Sequence, residues 1–359
     1  MDDQQAERAL TRRSSKWKLV IAALIVGFIA SVILSLNIGY QPISFKEILL
    51  ILGKLIPFSP IKSSSFSSTD YTIITLIRLP RVLSGALVGA GLAVAGVIFQ
   101  GIFRNPMADP FLLGASAGAS VGYAIAVLLG VTLSMSLVGL GMAQVLAFIF
   151  ALIAVFFVVT ISRVGGKIPT INLVLSGMVI SIFLLAILTI MELRAGRALI
   201  GLVAWTSGGG FSNIVWTQFF AVLPIILVGI VLTYFFTRDL NVLAMGEETA
   251  QHLGINTERT RLILLAIASL ITAACVAISG VIGFVGLIIP HMTRLVIGPD
   301  HRILLPASAI VGAIYLVMCD ALVRVATGAS ELPVGVITAL IGAPVFFILL
   351  RTRKTTYSM

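Results

Sequence analysis

Few residues of this chain have the type and spacing that chemistry needs. A nucleotide-binding phosphate loop reads GxxxxGK followed by Ser or Thr. The two Gly-Lys pairs, Gly53-Lys54 and Gly166-Lys167, run on into Leu55 and Ile168, so neither supplies the hydroxyl that would hold Mg²⁺. His252, His291 and His301 are scattered, and no HExxH or His/Cys set has the spacing of a metal site. Cys275 and Cys319 lie in apolar stretches without a CxxC or an adjacent His, and read as packing residues. A proton-driven carrier needs ionisable groups at mid-membrane depth. Asp320 and Glu192 are the candidates, and Arg324 follows Asp320 at the spacing of an ion pair on one helix face. That pairing outweighs a proton relay. The chain is therefore expected to be no enzyme, with no catalytic residue, metal ligand or cofactor of its own.

The elements around these residues belong to lipid. Of 359 residues, 59% are hydrophobic and 11% charged, with a mean hydropathy of +1.13, against about 25% charged in a soluble domain. The apolar residues fall in blocks of roughly 20, the length that crosses ~30 Å of hydrocarbon as helix. The expected fold class is an all-α polytopic membrane bundle of about ten transmembrane helices. The spans expected are 18–38, 81–101, 112–131, 138–162, 170–191, 215–236, 262–281, 284–297, 303–324 and 333–350, the eighth being short and carrying Pro290. The net charge of +10 does not point to nucleic acid, because Lys and Arg cluster between the blocks. The side holding both termini collects about twice as many of them as the other, which makes it cytoplasmic. Residues 1–17 read as a disordered, basic cytoplasmic tail, 18–350 as one transmembrane domain, and 351–359 as a short cytoplasmic tail. The expected location is the plasma (inner) membrane, with lipid around it.

Three connections are long enough to hold structure. Residues 40–80 carry an amphipathic stretch from Ile43 to Ile56 and then the flexible, Ser-rich run from Ser63 to Ser68. Residues 192–214 carry Trp205 and Gly208-Gly209-Gly210. Residues 238–261 are the most polar part of the body, and 240–256 within them should form one or two short helices on the cytoplasmic face, a docking element for a partner that supplies energy. The pairs and triplets Gly85/Gly89 and Gly114/Gly118/Gly122 recur every four residues, as faces for close helix approach. Gly96-Val97-Ile98 with Pro106 is echoed by Gly280-Val281-Ile282 with Pro290, a faint sign of an inverted repeat.

The chain resembles the FecCD-type permeases of binding-protein-dependent ABC importers, which carry iron-siderophore complexes, haem and cobalamin. The matching stretches are Arg78-Leu79-Pro80-Arg81, Gln100 through Asn105-Pro106-Met107-Ala108-Asp109-Pro110 to Gly114, and Gly246-Glu247-Glu248 with Leu253-Gly254. Gly283-Phe284-Val285-Gly286 with Pro290-His291, Asp300-His301-Arg302, and Glu331-Leu332-Pro333-Val334-Gly335 with Gly342-Ala343-Pro344 complete it. Met107 stands where Leu is usual, and Trp205 to Gly210 departs from Trp-x-x-Gly-Ser at what would be the substrate entrance. The resemblance implies a second permease copy, two cytoplasmic ATPase subunits and an extracytoplasmic substrate-binding protein as partners. It implies an inner gate at Asn105 and Met107 with Pro169 and Thr170, and ATPase coupling through Gly246, Glu247, Glu248, Ala250, Leu253 and Gly254. It also implies binding-protein docking by Arg78, Arg81 and Arg324, whose guanidiniums would reach water and meet carboxylates. The expected cargo is an iron complex, ferric siderophore or haem, with cobalamin the alternative. Arg194 and Arg197 suit an anionic cargo and equally suit snorkelling at the interface.

Overall fold

The computed structural model describes residues 3–39, 41–56, 60, 65–131, 136–137, 139–327 and 332–352. Among them the backbone is helical almost throughout. The helices are α1 (Asp3–Asn37), α2 (Phe45–Lys54), α3 (Ser68–Thr72), α4 (Leu79–Phe103), α5 (Ala115–Leu128), α6 (Met142–Ile161), α7 (Thr170–Arg194), α8 (Leu199–Thr206), α9 (Trp216–Phe235), α10 (Thr237–Ala244), α11 (Glu247–His252), α12 (Thr257–Ser279), α13 (Val285–Ile297), α14 (His301–Thr327) and α15 (Val334–Thr352). A two-residue hairpin, Ser136–Leu137 with Leu140–Gly141, precedes α6. Each expected span finds a helix. Seven helical segments are long and apolar enough to cross a membrane, and α5, α13 and α15 hold shorter apolar stretches.

The differences have physical causes. α1 starts at Asp3, so the segment expected as a disordered tail is helical; Gln, Ala, Glu, Leu and Arg there are good helix formers and no Gly or Pro interrupts them. Of the Ser-rich run, Ser63 and Ser64 lie outside the described residues. Ser67 is not loop but the N-cap of α3, its side chain accepting from the Thr69 amide. From α3 the chain continues through a π-helical turn, Ile73–Arg78, straight into α4. α13, with 13 residues, is about 20 Å long at 1.5 Å per residue, too short to span alone. It survives because Val285, Ile288, Ile289 and His291 are buried against protein. Gly96 and its echo Gly280 differ locally: Gly96 is mid-helix in α4, whereas Gly280 ends α12 at φ 72°.

α4 is the axle of the bundle. Of its apolar window 89% is buried, against 17% for α1 and α7, and α14, α12, α13 and α9 pack around it. Close approach is bought by missing side chains. A Cβ on Gly89 would stand 2.2 Å from the Gly312 carbonyl oxygen, and one on Gly96 1.9 Å from that of Gly286. Gly118 and Gly122 do the same for α5 against Phe150 and Leu146 of α6. Gly85 and Gly114 do not belong to these faces. A Cβ on Gly85 would stand 4.0 Å from Val317, an ordinary contact, and Gly114 (φ 76°) caps α5 beside Ser181.

These contacts give a graded expectation. Gly96→Ala must push two backbones apart and should cost about 1–3 kcal/mol or more, while Gly85→Ala should fall within about 0.5 kcal/mol of the parent. Thermal unfolding in detergent compares them, and equal midpoints would remove the backbone contact as a determinant.

Candidate functional site

Two ends of the bundle hold the residues of interest. At one end, α4 closes on Arg104, which adopts a left-handed conformation (φ 48°, ψ 32°). A non-glycine residue pays about 1–2 kcal/mol for this. The turn reverses the chain and exposes Asn105, whose side-chain oxygen accepts from the Met107 amide at 3.0 Å. A short 3-10 turn, Pro110–Leu113, then packs into α7 at Gly177, where a Cβ would meet the Leu112 carbonyl. Pro169 is exposed and caps α7, and Thr170 opens that helix. The loop before them is anchored at Ile168. Its amide donates to Glu258 Oε1 at 3.0 Å and its carbonyl accepts from Arg261 Nη1 at 2.9 Å, both from the first turns of α12.

The polar segment 240–256 forms α10 and α11 on this same end. Leu240 is buried over Gly101 of α4. Asn241 donates to Asp300 at 2.9 Å and accepts from the His301 amide at 2.9 Å, tying α10 to the start of α14. Gly246 (φ 123°) sets off α11, Ala250 is fully buried, and Gly254 (φ 82°) ends the turn. Met245, Glu248 and Leu253 point to solvent. Glu247, expected at a partner interface, is 41% exposed; its carboxylate pairs with Arg261 and approaches Arg104 at 4.0 Å. The reason is that Arg261 is buried with only part of its charge balanced by Glu258 at 3.8 Å, and Glu247 completes it.

Beside this end lies a cavity of about 490 Å³ lined by Asp109, Phe111, Met178, Ser181, Phe284 and Leu287 among others. Phe284, like Arg104, is left-handed (φ 69°), so the two non-glycine residues with positive φ among those described flank this region. Asp109 caps the 3-10 turn through the Phe111 amide at 2.8 Å. Loss of hydration among the apolar walls pushes its carboxyl up to about 6, partly countered by that hydrogen bond.

The opposite end holds the three arginines expected to reach water. All three are buried side chains. Arg78 donates to the carbonyls of Leu36 at 2.7 Å and of Gln41. Arg81 Nε donates to Asp320 Oδ1 at 2.9 Å, and Arg324 Nε lies 3.2 Å from Asp320 Oδ2. Arg324 also donates to the carbonyls of Ser35 and Ile38 at 2.9 and 2.6 Å. The Asp320–Arg324 pairing read from spacing is present, and Arg81 shares it. A guanidinium at a helix end takes the nearest acceptors, and the last carbonyls of α1 are such orphans. α2 lies over this end with Ile48 and Ile51 buried. In the segment from Trp205 to Gly210, Trp205 is buried and stacked on Tyr123 at 3.9 Å. Trp205, Gly209 and Gly210 line a cavity of about 300 Å³ with Gln144, Asn213 and Gln218.

Sequence reasoning missed Arg104, Asn241, Glu258 and Arg261. Only Glu258 and Arg261, three apart at a helix start, left a signal. It also passed over two GxSxG spacings, Gly114 to Gly118 and Gly118 to Gly122. Their serines lie within α5, where Ser120 Oγ donates to the Ser116 carbonyl at 3.0 Å, so they are helix-packing residues and not nucleophiles.

Comparison with known proteins places this geometry. Residues 14–352 match the FecCD transport family. The chain is 44% identical over 286 residues to the cobalamin import system permease BtuC of Halobacterium salinarum, covering 80% of this chain and 75% of the relative. It is 34% identical over 339 residues to the hemin transport system permease HmuU of Yersinia pestis, covering 94% and 97%. A solved structure described as an inward-facing conformation of a metal-chelate type ABC transporter superposes with a TM-score of 0.79 at 29% identity, covering 93% and 99%.

Two measurements follow from the site. Asp320→Ala leaves buried guanidiniums without their carboxylate and should cost about 3–5 kcal/mol. Thermal unfolding in detergent should show that loss equally at low and high salt, since the pair is buried; a loss under about 1 kcal/mol would match an exposed pair instead. Asp109 titrates near 6 in the fold and near 3.9 when unfolded. Its contribution to stability is thus complete below about pH 4 and is lost as pH rises through 6. Local hydrogen exchange over 104–114 should quicken across that window more steeply than its intrinsic rate, and Asp109→Asn should abolish the excess. An unchanged profile in Asp109→Asn would assign the pH dependence elsewhere.

Proposed function

The chain belongs to the FecCD transport family, permease subunits of ABC importers and integral multi-pass proteins of the plasma membrane, and from that premise we propose how this one works. It pairs with a second copy of itself, binds two ATPase subunits at the end that carries α10 and α11, and receives cargo from a substrate-binding protein at the end that carries α2. Both termini are cytoplasmic. The observation that carries this reading is the platform of α10 and α11. Its outer side offers Met245, Glu248 and Leu253 to a partner. Its inner side is bonded to α4, α12 and α14 through Leu240, Glu247 and Asn241. A surface helix pair so fixed can receive a push and pass it on.

The inner gate is formed by Asn105 and Met107 with Pro169 and Thr170, two exposed or half-exposed segments. The exposed apolar face of α7, with Met178, Ile182 and Phe183, supports a second copy as the wall that completes the path. ATPase coupling runs through Gly246, Glu248, Leu253 and Gly254, with Ala250 as the buried seat of α11. Glu247 belongs to the same set, its half-exposed carboxylate held by Arg261. Arg78, Arg81 and Arg324 act on the binding protein by holding the outer helix ends in place, since their guanidiniums are engaged within the chain.

The proposed cargo is a bulky metal chelate. The halobacterial cobalamin permease supports a corrinoid, and the hemin permease supports the iron complex expected from family frequency. Retention of cobalamin, haemin or ferric siderophore by the cognate binding protein, followed by uptake into liposomes, decides between them.

The complex reconstituted with its ATPase and binding protein should take up that ligand only with ATP, and the chain alone should hydrolyse none. Met245→Ala with Leu253→Ala should weaken ATPase assembly by about tenfold to a hundredfold, the cost of truncating central apolar contacts. Uptake without the ATPase, or undiminished assembly in the double variant, would contradict the proposal.

A further inference from the structure

The clamp around Ile168 has a geometry that ordinary helix connection does not require. Ile168 is a buried residue at the end of an exposed loop, one position before Pro169. Both of its backbone groups are held by side chains of one helix turn: the amide by Glu258 and the carbonyl by Arg261. A connecting loop satisfies its backbone with water or local turns. Here two long-range, charge-assisted hydrogen bonds do it, each stronger than a neutral one. Arg261 is itself buried, and its second nitrogen pairs with Glu247 of α11. That carboxylate also faces Arg104, the left-handed residue that sets Asn105.

We propose that Arg261 is a positioning residue that transmits movement of α11 to the loop before α7. It does so by bonding Glu247 with one nitrogen and the Ile168 carbonyl with the other. The inference rests on the function proposed above. A planar guanidinium with donors fixed in a fork suits this task, because the two bonds cannot reorient independently. Glu258 completes the hold on Ile168 from the same turn. Arg104 gives Glu247 a second, longer contact toward Asn105. One carboxylate thus stands between the residues that set both proposed gate segments. The burial of Arg261, against the half-exposure of Glu247, makes Arg261 the fixed member and Glu247 the one that a docked partner displaces.

Hydrogen–deuterium exchange on the full complex tests this. ATPase binding should slow exchange over 240–256 and also change it over 163–170. Arg261→Gln keeps a donor for the Ile168 carbonyl but deletes the charge that Glu247 needs. Glu247→Gln deletes the other charge and leaves the clamp on Ile168 in place. In both variants protection over 240–256 should persist while the change over 163–170 disappears. ATP hydrolysed per cargo imported should rise severalfold. Arg259→Gln, on the exposed side of the same helix turn, should behave as the parent. If Arg261→Gln fails to assemble, Glu247→Gln alone decides. A parental response over 163–170 with parental coupling in Glu247→Gln would overturn the inference. No protection over 240–256 in the parent would instead overturn the functional reading on which it rests.

Discussion

A helix enclosed by protein on every side has no lipid to fill its gaps and no water to take its polar groups. α4 lives under that constraint, and the rest of the bundle is arranged to meet it. Backbone must come to backbone at Gly89 with Gly312 and at Gly96 with Gly286. Two of its polar side chains find partners inside: Gln100 donates to the Leu287 carbonyl at 2.9 Å, and Arg81 to Asp320. The helices that satisfy these demands, α12, α13 and α14, therefore keep fixed relations to α4. α7, mostly exposed, carries a single close seat, at Gly177 on Leu112.

The two ends of α4 are held by different physics. At the end near α2, the charges are buried and their acceptors are carbonyls of α1 and one shared carboxylate. Breaking such a set costs several kcal/mol because a lone buried charge remains, so this end is stiff. At the other end, Arg104 and Glu247 are close to half exposed, and a pair of that kind contributes roughly 0–1 kcal/mol. Such a contact can adjust in a transport cycle without unfolding anything. The strained backbone at Arg104 and Phe284 belongs to the same region, where stored strain favours alternation between states. Stiffness at one end and compliance at the other suit the proposed permease, whose energy would arrive at one face.

Much of this architecture could be read in advance. Apolar blocks of membrane length mark the helices, since lipid leaves few alternatives for a backbone. The Asp320–Arg324 pair was legible because four residues on a helix fix the geometry. What could not be read involves long separations or direction. Arg81 meets Asp320 across 239 positions, and Arg78 finds the Leu36 carbonyl of α1 across 42 and the Gln41 carbonyl across 37. Topological side predicted exposure for these arginines, but acceptors at the helix ends buried them. Glu247 and Glu248 are adjacent in the chain, and only the buried Arg261 decides which turns inward. The segments proposed as gate and platform were singled out by resemblance, while the bonds joining them were not, because Ile168 offers only backbone groups and these have no signature in a sequence.

The central claim is that the loops at Asn105 and Ile168 form one unit with α11 at the inner end of α4. The most direct measurement places spin labels at Asn105→Cys and Lys167→Cys in one chain of the assembled transporter. The native Cys275 and Cys319 are buried and should stay unlabelled. The account expects one narrow distance, the same in nucleotide-free and ATP-trapped complexes, because both loops follow Glu247 together. A distance that shifts with nucleotide, or splits into two populations, would show that the loops move independently and would contradict it.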